Sequence, residues 1–282
     1  MSGDAARRRG AIVPPLRTFV GEYMKLVKSL SFLLPACVLA MTLFATSSHA
    51  QDADKIVRAM SDYLANAKTL SLTYDTDIEV ITPDVQKLQF ASSGQVLLNR
   101  PNQLRATRVG GYANVELVFD GNTLTMFGRN IDAVAQVQAK GSVDQLVQRL
   151  RDEFSIALPG ADFLLSNSYD ELMIGVRDLK HIGRGVIDGV ECEHLAFRTE
   201  DADWQLWVEV GAKPIPRKYI ITSKGVAAAP QYTLRVKEFR TNADLAADAF
   251  AFKVPASAKK VDITALSDLD EVPHGIIQGD KK

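Results

Sequence analysis

The sequence predicts an α+β fold: a strongly curved antiparallel sheet of about ten strands, an incomplete β-barrel, with helices covering its concave apolar face. Three observations predict it. Apolar and polar residues alternate with period two over most of the chain. Short turn signals separate the alternating runs. Apolar helical stripes occur in only two places, one ahead of the first strand and one midway.

The first 50 residues stand apart. A basic start (Arg7, Arg8, Arg9, Arg17, Lys25, Lys28) leads into an apolar run over 30–45. The run is shorter than the ~20 apolar residues that span a bilayer. Small residues follow at Ser48 and Ala50, three and one before Gln51, as signal peptidase prefers. Residues 1–50 therefore read as a signal peptide cleaved before Gln51, with translation starting at Met1 or Met24. Leu34, Pro35, Ala36 and Cys37 loosely imitate a lipidation box, but Pro35 and the apolar run continuing past the cysteine fit it badly.

Cleavage leaves 282 − 50 = 232 residues, enough for one sizeable core. The leader carries six Lys/Arg and two Asp/Glu, so the remaining net charge is (33 − 6) − (34 − 2) = −5. A mildly acidic chain without a basic stripe argues against nucleic acid as a partner. Cys37 leaves with the leader and Cys192 remains alone, so no internal disulfide forms and packing must carry the stability. The exported protein is expected in the periplasm.

Residues 52–68 read as a helix, with Ile56, Met60, Tyr63, Leu64 and Ala67 on one stripe. The period then changes to two. Leu70, Leu72, Tyr74, Thr76, Ile78 and Val80 alternate with Ser71, Thr73, Asp75, Asp77 and Glu79, giving a long strand with one dry face. Thr82, Pro83 and Asp84 turn it. Strands follow at 86–98, 104–109, 112–119 and 123–127, with a hairpin signal at Asp120 and Gly121. In the middle, Ser142 and Gln145 form a capping-box pattern ahead of a helix whose apolar stripe is Val143, Leu146, Val147, Leu150 and Phe154. Leu158, Pro159 and Gly160 break it, and two short helical pieces follow at 161–165 and 168–176. Strands return at 183–187 and 190–198 around Asp188 and Gly189, then at 204–210, 218–223 and 231–239, with a last extended piece at 250–254. The body spans 51–262. The tail at 263–282 is polar and acidic and reads as disordered.

One sheet face is thus apolar along its length and needs a cover. Three amphipathic helices are few for so broad a sheet, so a partly filled apolar groove is the expected outcome. Its lining is expected from Leu72, Tyr74, Ile78, Phe90, Leu117, Phe119, Met126, Trp204 and Leu206 on strands, and from Leu146, Leu150, Phe163 and Leu164 on helices. Each of these alone reads as ordinary core; only their shared placement points to a ligand. The 128–142 link and the Pro159-Gly160 break are the candidate hinges.

Other clusters carry weaker chemistry. Glu191, Cys192, Glu193 and His194 are the densest group of ligand types, but a strand sends Cys192 and His194 one way and the two glutamates the other. His181 and His274 show no metal-type spacing to them, so no metal and no cofactor is expected. Trp204 falls on the apolar face, and Trp207 on the wetter one with Gln205 and Glu209. Glu200, Asp201 and Asp203 read as a solvated turn. No nucleophile elbow, phosphate loop or dinucleotide fingerprint occurs. No catalytic residue is assigned, and the chain is not expected to be an enzyme.

Several stretches together resemble a family of predicted periplasmic proteins. They are FDGNTLTMF at 119–127, IALPGADFLL at 156–165, GVECEHLAF at 189–197, DWQLWVE at 203–209, PIPRK at 214–218, PQY at 230–232 and AFAFKVP at 249–255. The resemblance covers roughly 52–260. That family is similar in fold to the periplasmic lipoprotein carriers and outer-membrane lipoprotein receptors, a fold shared by mycobacterial lipid-binding lipoproteins: an incomplete barrel with a helical lid over an apolar cavity. The resemblance implies a binder or carrier of an acyl chain on a lipid or lipoprotein, with transient contact to envelope membrane proteins. The carriers use an early-strand arginine in lid contacts, and Arg105 and Arg108 are the two positions that stand near it. The alternative is an envelope structural or interaction module without lipid cargo. A hydrolase or metalloprotein centred on Cys192, Glu193 and His194 ranks third.

Overall fold

The structure is a computed structural model and describes residues 45–266 apart from 155 and 157, with side chains from residue 50. The apolar leader run before residue 45, Cys37, and the tail beyond 266 lie outside the described residues. The first helix, α1 (Ala45–Ala65), starts earlier than its apolar stripe and runs through the Ala50–Gln51 bond. It buries Ala53, Val57, Met60 and Leu64 completely, one side of the helix at spacings of three and four.

Twelve strands form one sheet. They are β1 (Thr69–Ile81), β2 (Lys87–Asn99), β3 (Gln103–Gly110), β4 (Asn114–Phe119), β5 (Thr123–Gly128), β6 (Ala133–Gln138), β7 (Asp178–Ile187), β8 (Val190–Arg198), β9 (Ala202–Glu209), β10 (Pro216–Ser223), β11 (Gln231–Thr241) and β12 (Lys259–Lys260). Their order is β12-β6-β5-β4-β3-β2-β1-β11-β10-β9-β8-β7, so the sheet is open, with β12 and β7 at its two edges. It is two antiparallel meanders joined where β1 pairs with β11; only the short β12 runs parallel to its neighbour β6.

The turns follow from their residues. At Asp188 and Gly189 both φ angles are positive, 49° and 83°, the two-residue turn whose twist suits a hairpin. Asp120 Oδ1 accepts from the amides of Asn122 and Thr123 at 2.9 and 2.8 Å and closes the β4–β5 turn. Register shifts at Thr73/Tyr74, His181/Gly183 and Pro216/Lys218 bend the strands. The curl brings Asp188, at the tip of the β7–β8 hairpin, within 3.6 Å of Arg235 on β11, three strands away.

Helices lie over one face. The helix α2 (Val143–Asp152) opens on the expected capping box: Ser142 Oγ accepts from the Gln145 amide at 3.2 Å, and Gln145 Oε1 accepts from the Ser142 amide at 2.9 Å. A single 3-10 turn (Ala161–Leu164) and the short α3 (Ser168–Met173) follow. Two clusters of core result. One packs α2 on β2 to β6. The other packs α1, Phe163 and Leu172 on β8 to β11.

Four expectations change. The count rises from about ten to twelve through β6 and β12. β6 occupies the 128–142 link and pairs along its length with β5, Thr123 opposite Gln138 through Gly128 opposite Ala133, so that link is sheet and no free hinge. Residues 250–254 are no strand. They belong to a strap across the outer face, where Phe252 meets Phe127 at 5.8 Å and the Ala249 carbonyl accepts from Arg105 at 3.0 Å. The ordered body also passes 262: Ile263 and Leu266 sit in the core on a 3-10 turn (Ile263–Leu266), so the tail begins no earlier than 267.

Candidate functional site

Between the two packed clusters lies a cavity of about 350 Å³. Its floor is the middle of the sheet. β1 contributes Leu72, Tyr74, Thr76, Ile78 and Val80, every second residue, as a two-residue period requires. β11 contributes Tyr232, Leu234, Val236 and Phe239; the step of three at the end follows the register shift opposite Thr73/Tyr74. Val96, Leu104, Ala106, Arg108 and Leu117 extend the floor across β2, β3 and β4, and Pro216 closes the β10 side. The roof is the Leu158, Pro159, Gly160 break with Ala161, Phe163 and Leu164, backed by Val147 of α2.

Local chemistry explains the roof. Gly160 has φ 82°, which a side chain disfavours, and it caps the 3-10 turn that presents Phe163 and Leu164. Asp162 accepts from Arg151 at 2.6 Å, and Glu171 meets the same guanidinium at 3.4 Å, tying the roof to α2 and α3. Ser166 donates its amide to Asp144 at 3.0 Å. The break expected at Pro159-Gly160 therefore lies in the roof itself, flanked by segments with their own anchors.

The floor depends on one glycine. Tyr74 lies across Gly94, its partner on β2, and its hydroxyl donates to the Thr107 carbonyl on β3 at 3.1 Å. A Cβ at position 94 would stand 2.4 Å from the Tyr74 ring. The missing side chain is thus what lets the ring lie flat on the sheet and form cavity wall.

Arg108 is the single charged residue among the described lining residues. Of the two arginines singled out in the sequence, it is the one on the cavity side. Arg105 turns to the outer face and pairs with the buried Glu116, which Arg129 also binds.

Of the thirteen residues expected to line the cavity, Leu72, Tyr74, Ile78, Leu117, Phe163 and Leu164 do so. The other seven lie elsewhere. Phe119, Met126, Leu146 and Leu150 interlock where α2 sits directly on β4 to β6. Trp204 stacks on Phe197 at 3.5 Å and meets Tyr219 edge-on at 5.7 Å, and Leu206 is fully buried in the same cluster under α1. Burial pushes the Tyr219 phenol far above its usual range, so it stays neutral there. Phe90 leaves the lining and packs against Tyr112 at 5.8 Å. The β11 residues were readable as an alternating strand, but their place beside β1 is a matter of topology and carries no local signal.

The remaining sequence clusters find partners outside the cavity. His181 Nε2 lies 2.7 Å from Glu193, and Arg184 meets Glu191 and Glu193 at 3.1 Å each. His194 bonds Gln205 at 2.9 Å and stacks on Trp207 at 4.1 Å. Cys192 is fully buried, and burial pushes its thiol up. No group of three His, Cys, Asp or Glu side chains suited to a metal ion occurs among the described residues. Asp203 takes a two-pronged bond from Arg198 at 2.9 and 3.0 Å, and Glu200 pairs with Arg177. A second hollow, on the outer face, is polar: Asp75 and Asp77 face Lys218 and Arg235, while Ser93 and Lys237 also bind Asp75 at 2.7 and 3.4 Å.

Fold and site together define a half-open barrel with a roofed apolar cavity. The chain belongs to the family described as predicted periplasmic protein, DUF2092, whose model matches residues 53–264. No curated protein matches the sequence. Similar solved structures include an uncharacterized conserved protein from Thermus thermophilus, at 12% identity and TM-score 0.45, covering 75% of this chain and 99% of that one. The lipoprotein LppX of Mycobacterium tuberculosis is similar at 14% identity and TM-score 0.45, covering 70% of this chain and 99% of that one. MucB in its complex with MucA from Pseudomonas aeruginosa is similar at 13% identity and TM-score 0.43, covering 74% of this chain and 63% of that one. No helix among the described residues is long and apolar enough to cross a membrane.

Proposed function

We propose that the protein binds an acyl chain of a lipid or lipoprotein in the periplasm, after removal of the leader before Gln51, and acts as a holder or carrier rather than an enzyme. The observation that carries this reading is the open apolar cavity between sheet and roof. Its volume, about 350 Å³, falls within the ~300–1,000 Å³ of small-molecule sites. Each methylene withdrawn from water contributes about 0.8 kcal/mol, so an apolar lining suffices for affinity and no reacting group is required. Entry and exit need the roof to lift, and the Pro159-Gly160 break is the segment suited to it.

Lipid analysis of the protein purified from its native envelope tests the reading. Co-purified acyl lipid, or uptake of a fluorescent fatty acid by the delipidated protein, supports it. A preparation that carries no lipid and takes up no probe refutes it; capture of a protein partner under those conditions would favour an interaction module instead.

A further inference from the structure

The turns at one end of the sheet differ from those at the other. Four hairpin turns lie side by side along one edge: β10–β11, β1–β2, β3–β4 and β5–β6, in the order of the strands. Each holds out one bulky apolar side chain. Val226 is 50% exposed, Val85 61%, Tyr112 54% and Ile131 49%. The next turn along the edge, β8–β9, is polar: Thr199, Glu200 and Asp201. The turns at the opposite end, at 100–102, 120–122, 188–189 and 210–215, expose no large apolar side chain among the described residues.

Turn positions favour Gly, Asn and Asp, so four apolar tips in a row need a cause. Two of the turns also hold strain. Val85 has φ 66°, a rare conformation for a β-branched residue. Ala228 and Ala229, just after Val226, have φ 60° and 44°. Strain of this kind persists mainly where function needs the geometry.

We propose that this edge docks on a lipid bilayer, the four tips entering the interface between headgroups and acyl chains. Adjacent hairpins stand about 10 Å apart along a sheet edge, and polar residues such as Asp84, Asn130 and Lys224 separate the tips. Tyr112 leans on Phe90 at 5.8 Å and the other three knobs stand apart, so the row lacks the contiguous packed centre of a protein interface. A fluid acyl region closes around each one separately. The lining of the cavity reaches Val80, two residues before the β1–β2 turn, and Tyr232, two residues after the β10–β11 turn, as it reaches Leu104 and Pro216 at the other end. The proposal goes beyond the cavity reading and does not need the cavity to be filled.

Co-sedimentation with phosphatidylethanolamine–phosphatidylglycerol vesicles tests it, using the protein as the cell processes it. The wild type is expected to sediment with the vesicles. A combined variant, Val85→Asn, Tyr112→Ser, Ile131→Ser and Val226→Asn, is expected to partition at least about tenfold more weakly, with thermal unfolding lowered only by the loss of the Tyr112–Phe90 contact. The single variants Val85→Asn and Val226→Asn, each expected to bind more weakly than wild type, keep the test sharp if the combined one misfolds. A control, Ile174→Ser with Val186→Thr, removes exposed apolar side chains elsewhere and is expected to bind like wild type. No sedimentation of the wild type, equal binding by wild type and tip variants, or an equal loss in the control overturns the proposal. So does capture of a protein partner through the tips without vesicle binding.

Discussion

Gly94→Ala is the perturbation that bears most directly on the cavity floor. An added Cβ would stand 2.2 Å from the Thr107 carbonyl, 2.4 Å from Tyr74 Cζ and 2.5 Å from the Tyr74 hydroxyl, where ordinary contact begins at 3.4 Å. The Tyr74 ring can swing toward the cavity, losing its 3.1 Å bond to Thr107. The Thr107 carbonyl belongs to the β2–β3 ladder and can retreat only by parting the strands. Overpacking costs about 1–3 kcal/mol and the lost hydrogen bond about 1 kcal/mol. Reduced freedom of the unfolded chain returns about 0.5–1 kcal/mol. The net expectation is a loss of about 1–3.5 kcal/mol, or about 2–14 °C in Tm for a body of this length. Urea unfolding followed by circular dichroism should show a lower midpoint with an unchanged slope. Adding Tyr74→Ala to Gly94→Ala should recover only part of the loss, because the contact with the Thr107 carbonyl remains. A Gly94→Ala protein as stable as wild type would refute the reasoning.

Three further outcomes follow from the same geometry. Ala106→Trp, at a half-buried floor position, should fill the cavity and weaken fluorescent fatty acid binding about tenfold or more, while overpacking costs no more than about 1–3 kcal/mol of stability; titration and thermal unfolding measure the two separately. Glu116→Ala removes a carboxylate that is 1% exposed and bound by both Arg105 and Arg129. The loss should be about 2–3 kcal/mol by urea unfolding, below the ~3–5 kcal/mol of a fully buried pair because both arginines are partly exposed. Cys192 should resist a thiol-specific disulfide reagent in the native protein and react once urea unfolds it, since burial both blocks access and holds the thiol protonated.

Much of the fold was legible because its signals are local. The alternation in β1, the Asp-Gly turns and the Ser142 capping box each involve residues within a few positions of one another, and each forms where the pattern puts it. β6 escaped notice because Ala133 and Ala135 supply little strand propensity or apolar contrast; what makes them strand is the free edge of β5 beside them. β12 is two residues of lysine, unreadable without its partner on β6. Ile263 and Leu266 looked like the start of a polar tail, yet the edge of the α2 cluster offers them burial.

The cavity shows the same division. Alternation determined which residues face the helices, and composition determined that three helices cover a long apolar face. Where the cover falls was decided by tertiary structure. α2 seats itself over Phe119 and Met126, α1 over Leu206, and the gap is left above β11, β1 and the neighbouring part of β3, where Leu234, Val236 and Ala106 line it. A side chain's face is set by the period of its own strand. Whether that face meets a helix or a hollow depends on where distant segments dock, and neither alternation nor turn chemistry encodes that.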